Sequence, residues 1–126
     1  MPIIDNFKVE KFDFPGIVHQ TIAGRKQSAK TMEVWIQTAE LNTETQLHYH
    51  DCEEILIVLR GSGKATMDGE ILDFGPNTTL IIPPNVIHQM KNTGKEKMIV
   101  IAVLASVTPK TYFPDGKLIP LPWQSE

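Results

Sequence analysis

Between residues 17 and 106 the chain is broken at short intervals by turn residues, and the runs between them are short, β-branched or alternating. No stretch carries a helical period. A chain cut this often can bury its apolar residues only as strands, so the pattern predicts an all-β sandwich or barrel. Strands are expected near 18–22, 31–40, 46–50, 54–60, 63–67, 70–74, 78–82, 86–92 and 97–105. Asp68-Gly69 reads as a two-residue hairpin turn, while Gly61-Ser62-Gly63, Gly75-Pro76-Asn77 and Asn92-Thr93-Gly94 punctuate its neighbours. A chain of 126 residues fits one domain, here 1–126, with a core of about 17–106 and a C-terminal arm over 107–126. That arm holds Pro109, Pro114, Pro120 and Pro122, each lacking a ladder donor, so it is expected as an arm instead of more sheet. The strand at 54–60, EILIVLR, is apolar at both parities. Its outer surface therefore needs a cover, either a second sheet or a second subunit, and a homodimer is expected.

Charge narrows the partners. With 12 Lys+Arg against 15 Asp+Glu, and the basic residues scattered, nothing resembles the electrostatic footprint that nucleic acid or an anionic membrane requires. Asp5, Lys8, Glu10 and Lys11 interrupt the N-terminal apolar residues before a signal-peptide core could form, and the run Met98–Ala105 is too short to span a bilayer. Cys52 is the only cysteine, so no intrachain disulfide can form, and the expected compartment is the cytoplasm. Asn77-Thr78-Thr79 matches a glycosylation triplet, but Asn77 is read as a turn residue tolerant of positive φ.

Three of the four histidines carry the chemistry. On a strand, residues i and i+2 face the same way about 6.6 Å apart, so His48 and His50 can converge on one ion. Glu54 can join them only if the chain reverses, and Asp51-Cys52-Glu53 supplies that polar turn. His88 comes from a distant strand introduced by Pro83-Pro84-Asn85. Three imidazoles and one carboxylate form a borderline donor set for one divalent metal ion, suited to zinc, iron, manganese, nickel or cobalt. Four protein ligands alone would close a tetrahedral zinc site; a larger coordination sphere leaves room for water or an anion. His19 has no such context and is read as structural.

The stretch His48-x-His50-x-x-x-Glu54, followed by Gly61, resembles the first motif of the cupins, and Pro83-x-Asn85-x-x-His88-x-x-x-Asn92 resembles the second. The resemblance implies a cupin jelly roll, a double-stranded β-helix barrel flanked by N- and C-terminal arms. Where the motifs carry glycine, this chain has Asn42, Asn77 and Asn85, the other residue type that accepts left-handed turns. A narrower likeness runs through MEVWIQT (32–38), HYHDCEEILIVLRGSG (48–63) and IPPNVIHQMKNTGKEKMIV (82–100), which resemble the plant auxin-binding protein family. Its members are dimeric cupins whose zinc, on three His and one Glu, meets the carboxylate of an aromatic acid. The matching ligands are His48, His50, Glu54 and His88, zinc being the expected ion. By the same resemblance Trp123, Gln37, Thr45, Ile17 and Leu56 fall on pocket-lining positions. Gln46 and Leu56 stand where the family has a proline and a phenylalanine.

Read from the residues alone, Trp123 either caps the barrel mouth, packs between subunits, or touches a ligand. Trp35 sits mid-strand as core, and Gln37 shares its parity, where its amide would orient a ligand or a metal-bound water. Phe7, Phe12, Phe14 and Phe113 are expected to pack the arms onto the outer sheet, and Cys52 to be a small half-buried hydrophobe. Two functions follow. One is a binding module that sets the carboxylate of a small, auxin-like aromatic acid on the metal. The other is a metal-dependent dioxygenase, decarboxylase or isomerase, for which no general acid or base stands out.

Overall fold

A computed structural model describes residues 1–124. It resolves eleven strands among them: β1 (Phe12–Phe14), β2 (Ile17–Ala23), β3 (Glu33–Ala39), β4 (Tyr49–His50), β5 (Glu54–Arg60), β6 (Gly63–Met67), β7 (Glu70–Phe74), β8 (Thr78–Ile82), β9 (His88–Asn92), β10 (Met98–Leu104) and β11 (Thr111–Tyr112). One layer is a six-stranded antiparallel sheet in the order β1-β2-β3-β10-β5-β8. The other holds β7-β6-β9, with the β11-β4 pair tied to β9 through the bridging pairs Glu44–Lys91 and His48–His88. This is the expected all-β jelly roll, although its sheets meet as layers and do not close into a continuous barrel.

Alternation fixes which side chains face the interior. Along β10 every second residue from Met98 to Leu104 is buried, and the register sets Ala102 opposite both Trp35 and Leu56, and Val100 opposite both Gln37 and Val58. Inward faces of three neighbouring strands thus share one wall. Val58, Ala65, Phe74, Leu80 and Ile82 join the two layers in a single core cluster. The opposite parity of β5 and its neighbours keeps Ile55 and Ile57 half-buried and leaves Ile81 60% exposed.

The turns explain the boundaries. Asp68 and Gly69 both have positive φ (51° and 82°), as a tight hairpin between right-twisting strands demands. Asn42, Asn77 and Asn85, at φ 59°, 58° and 66°, hold the left-handed corners for which the motifs otherwise use glycine. Gly63 is required for space instead: a Cβ there would lie 2.0 Å from the Lys91 carbonyl oxygen.

Four expectations need correction. The strand at 46–50 shrinks to Tyr49–His50, because the preceding segment touches β9 only through separated contacts such as Thr45 N–H to Met90 O (2.9 Å). The C-terminal arm does add sheet: Thr111 and Tyr112, lying between Pro109 and Pro114, keep their ladder groups and pair with His50 and Tyr49. The N-terminal segment forms β1 against β2, and Phe14 packs edge-on and Phe12 tilted against Trp123 instead of covering the outer sheet, since strand parity points them inward. Phe7 is 98% exposed and covers no sheet.

Candidate metal centre

The centre is assembled from three places in the chain. His48 and His50 straddle the start of β4, Glu54 opens β5 after a bend, and His88 opens β9. Pairing brings them together: His48 and His88 exchange two backbone hydrogen bonds (3.1 and 2.8 Å), and the Asn85 N–H donates to the His50 carbonyl (2.8 Å). The three histidines each offer a ring nitrogen lying within 4.8 Å of the others. Glu54 Oε1 stands 3.1 Å from His88 Nε2 and 3.5 Å from His50 Nε2.

Hydrogen bonds on the far side of each ring decide which nitrogen faces the centre. Nδ1–H of His48 donates to the Gln46 carbonyl, that of His88 to the Val86 carbonyl (2.9 Å), and that of His50 to the Lys110 carbonyl (3.3 Å), with Thr111 Oγ1 at 3.0 Å. A carbonyl can only accept, so Nδ1 carries the proton and Nε2 presents a lone pair inward. His50 Nε2 and Glu54 Oε1 are buried and have no hydrogen-bond partner among the described residues. Lone pairs on imidazole and carboxylate facing one another at these distances call for a positive charge between them, either a proton on Nε2 or a metal ion. The donor set therefore fits a divalent ion held by His48, His50, Glu54 and His88.

The protonation tendencies agree with this geometry. Burial, then the like charges of His88 and His50, lowers His48 to about 3. Burial opposes charge on His50, but the Glu54 carboxylate and the Lys110 carbonyl outweigh it and raise its pKa. Glu54, which burial alone would raise, is held well below the usual carboxylate range by His50 and His88. A proton and a metal ion compete for the same nitrogen.

The centre forms the floor of a cavity of about 100 Å³. His48, His50, Glu54 and His88 line it together with Ile17, Gln37, Thr45, Leu56 and Trp123, so all nine residues singled out from the sequence meet in one place. Trp35, Met98 and Val100 add apolar wall, and Phe14 and Thr43 stand with them. Thr45 Oγ1 accepts the Met90 N–H (3.1 Å), which leaves its own O–H to donate. Gln37 spends its amide nitrogen on His19 Nδ1 (2.9 Å), so its carbonyl oxygen is what it offers elsewhere.

Sequence reasoning missed three supports. His19 is fully buried; its Nε2–H donates to Thr21 Oγ1 (2.8 Å), and its ring stacks on Trp123 at 3.6 Å and 11°. It thereby fixes Gln37 and Trp123 at once. Its parity, shared with Ile17 on β2, was the available signal. Glu33 accepts the Trp35 indole N–H (2.6 Å); burial raises its carboxyl, with the Trp35 bond opposing. The Lys110 carbonyl and Thr111, which orient His50, come from 60 residues away and have no local signature.

A family model described as auxin binding protein matches residues 2–121. Auxin-binding protein 1 of Arabidopsis thaliana is 32% identical over 133 aligned residues, covering 95% of this chain and 67% of that protein. Among solved structures, the polyketide cyclase RemF of Streptomyces resistomycificus superposes with a TM-score of 0.75 at 18% identity, covering 98% of this chain and 89% of that one. An RmlC-like cupin from Shewanella frigidimarina gives a TM-score of 0.72 at 17% identity, covering 82% and 88%.

Proposed function

The chain belongs to the auxin-binding protein family, within the cupin fold, and from that membership we propose that it binds a small aromatic carboxylic acid through a divalent metal ion. One observation carries the reading: three inward lone pairs and a buried carboxylate lie at the floor of a cavity whose walls are largely apolar. When bound, the ion supplies the positive charge and the open coordination position that a carboxylate seeks. Zinc is the proposed ion, with iron, manganese or nickel as the alternatives that elemental analysis separates.

The protein's own groups do the rest. Trp35, Leu56, Val100 and Trp123 take the aromatic body, and burying about 100 Å² of apolar ligand surface contributes roughly 2.5 kcal/mol. The Thr45 hydroxyl and the Gln37 carbonyl oxygen orient polar groups of the ligand. Among the described wall residues the carboxylate besides Glu54 is Glu44, which is exposed at the mouth, and this arrangement supports binding ahead of catalysis.

No helix among the described residues is long and apolar enough to cross a membrane. We place the protein in the cytoplasm on its lone cysteine, and as a homodimer through the outer face of the six-stranded sheet, where Ile55 and Ile57 are half-covered and Ile81 is exposed.

The test is a thermal-shift titration with indole-3-acetate and benzoate on zinc-loaded protein and on His48→Ala. Both acids should stabilise the parent in a saturable way and lose most of that effect in the variant. Equal stabilisation of the two proteins would remove the metal from the recognition.

A further inference from the structure

Gln37 is the cavity end of a short chain of hydrogen bonds. Its amide nitrogen meets His19 Nδ1 at 2.9 Å, and His19 Nε2 meets Thr21 Oγ1 at 2.8 Å. Gln37 lines the cavity floored by the metal centre, whereas Thr21 lines a separate one. His19 and Gln37 are paired across β2 and β3, and two indoles hold the imidazole in place: Trp123 stacks on it at 3.6 Å and Trp35 stands edge-on at 5.0 Å.

Every member of this chain works in either sense. The ring is fully buried, and burial alone lowers its pKa to about 3, so at neutral pH it is uncharged and one nitrogen donates while the other accepts. A hydroxyl and a primary amide each donate or accept. With the proton on Nε2, Thr21 accepts, the Gln37 NH₂ donates to Nδ1, and the amide oxygen is left for the cavity. With the proton on Nδ1, the Thr21 hydroxyl donates to Nε2, the Gln37 amide turns over to accept, and its NH₂ is left for the cavity. Both senses keep two hydrogen bonds at the same heavy-atom positions, so neither strands a buried polar group. Neither the Thr21 hydroxyl nor the Gln37 amide has another hydrogen bond among the described residues that would favour one sense.

We propose that Thr21, His19 and Gln37 form a reversible relay, with His19 as its positioning residue, through which the cavity presents an acceptor or a donor to match the ring heteroatom of its ligand. The site therefore takes aromatic acids bearing either kind of heteroatom, a statement that rests on the carboxylate-on-metal reading above. Reversal moves no net charge: one proton leaves Nε2 for water, one reaches Nδ1 from water, and the amide rotates by half a turn. The stack on Trp123 is unchanged, because the ring itself does not move.

Protonated and bare imidazole nitrogens differ widely in ¹⁵N shift, so the sense is read directly on zinc-loaded protein with labelled histidine. The signals of His19 are those lost in His19→Phe. The free protein should carry the proton on Nε2. Gln37→Glu, whose carboxylate only accepts, should move it to Nδ1 with no ligand present; an Nε2 that keeps its proton there would overturn the relay. In the unsubstituted chain, indole-3-acetate, a ring donor, should leave the proton on Nε2. Benzisoxazole-3-acetate has the same shape with acceptors only; it should shift the proton to Nδ1 and bind within about threefold of the indole acid. Gln37→Leu, with no amide to turn, should weaken both acids alike and show no shift of the proton. A benzisoxazole acid held about tenfold or more weakly, with the proton still on Nε2, would mark a fixed carbonyl and refute the proposal while leaving the metal anchor intact. Failure of both acids to bind would strike the carboxylate-on-metal reading and the ligand matching with it, and the Gln37→Glu result would still decide the relay.

Discussion

Acid should loosen the cavity beside the candidate metal centre through His19, and the size of the effect follows from its surroundings. The ring is fully buried, accepts from Gln37 at Nδ1, donates to Thr21 at Nε2, and lies flat on Trp123. Burial lowers its pKa from 6.5 to about 3. A histidine depressed in the folded state contributes stability that is complete above its unfolded pKa and is lost as pH falls from 6.5 towards 3. Between pH 7 and pH 5 the loss is about 2 kcal/mol, and its limit at lower pH is about 5 kcal/mol. For a chain of 126 residues, 2 kcal/mol corresponds to roughly 8 °C in Tm.

The comparison is with His19→Phe, which keeps an aromatic face for Trp123 but cannot be protonated. That variant should lose about 1–3 kcal/mol at pH 7, because Gln37 and Thr21 forfeit a partner. Its further loss between pH 7 and pH 5, read by thermal unfolding under near-UV circular dichroism, should be smaller than the parent's by about 2 kcal/mol. Other acid-sensitive groups, His48 among them, are common to both proteins and cancel in the difference. Equal losses in parent and variant would refute the assignment.

Gly63→Ala should destabilise by about 3 kcal/mol, seen as a lower urea midpoint at unchanged slope, since the added methyl meets the Lys91 carbonyl on β9 and the Phe74 ring. Cys52, raised to about 11 by burial and by Asp51 and Glu54, should react with iodoacetamide at pH 8 about a hundredfold more slowly than an ordinary thiol, and at the ordinary rate in denaturant. Ile81→Lys should convert the proposed dimer to monomer in light scattering; a monomeric parent would end the dimer proposal.

What could be read from the sequence was what neighbouring residues encode. The strands Glu54–Arg60, Gly63–Met67, Glu70–Phe74 and Thr78–Ile82 lie where turn residues and alternation put them. Asn42, Asn77 and Asn85 adopt the left-handed corners expected of them, because that conformation is a property of the residue and its turn. The convergence of His48, His50, Glu54 and His88 was also within reach, through i, i+2 spacing and a turn. What escaped depends on pairings between distant segments. Nothing near Thr111 announces that it faces His50 across a two-residue ladder, and nothing near Phe14 announces Trp123. The layered, unclosed sheets likewise depend on how far each edge strand runs before its partner stops, which local pattern does not record.

The pairing of β11 with β4 has a consequence for when the protein becomes competent. His50 takes its orientation from the Lys110 carbonyl and Thr111, and the cavity takes a wall from Trp123. A chain still lacking residues from 107 onward could pair β1-β2-β3-β10-β5-β8 and β7-β6-β9, yet β4 would lack its partner, the His50 ring would lose both Nδ1 partners and the cavity would lose its Trp123 wall. On the proposed function, competence to hold ion and ligand therefore comes only once the segment from Lys110 to Trp123 has docked.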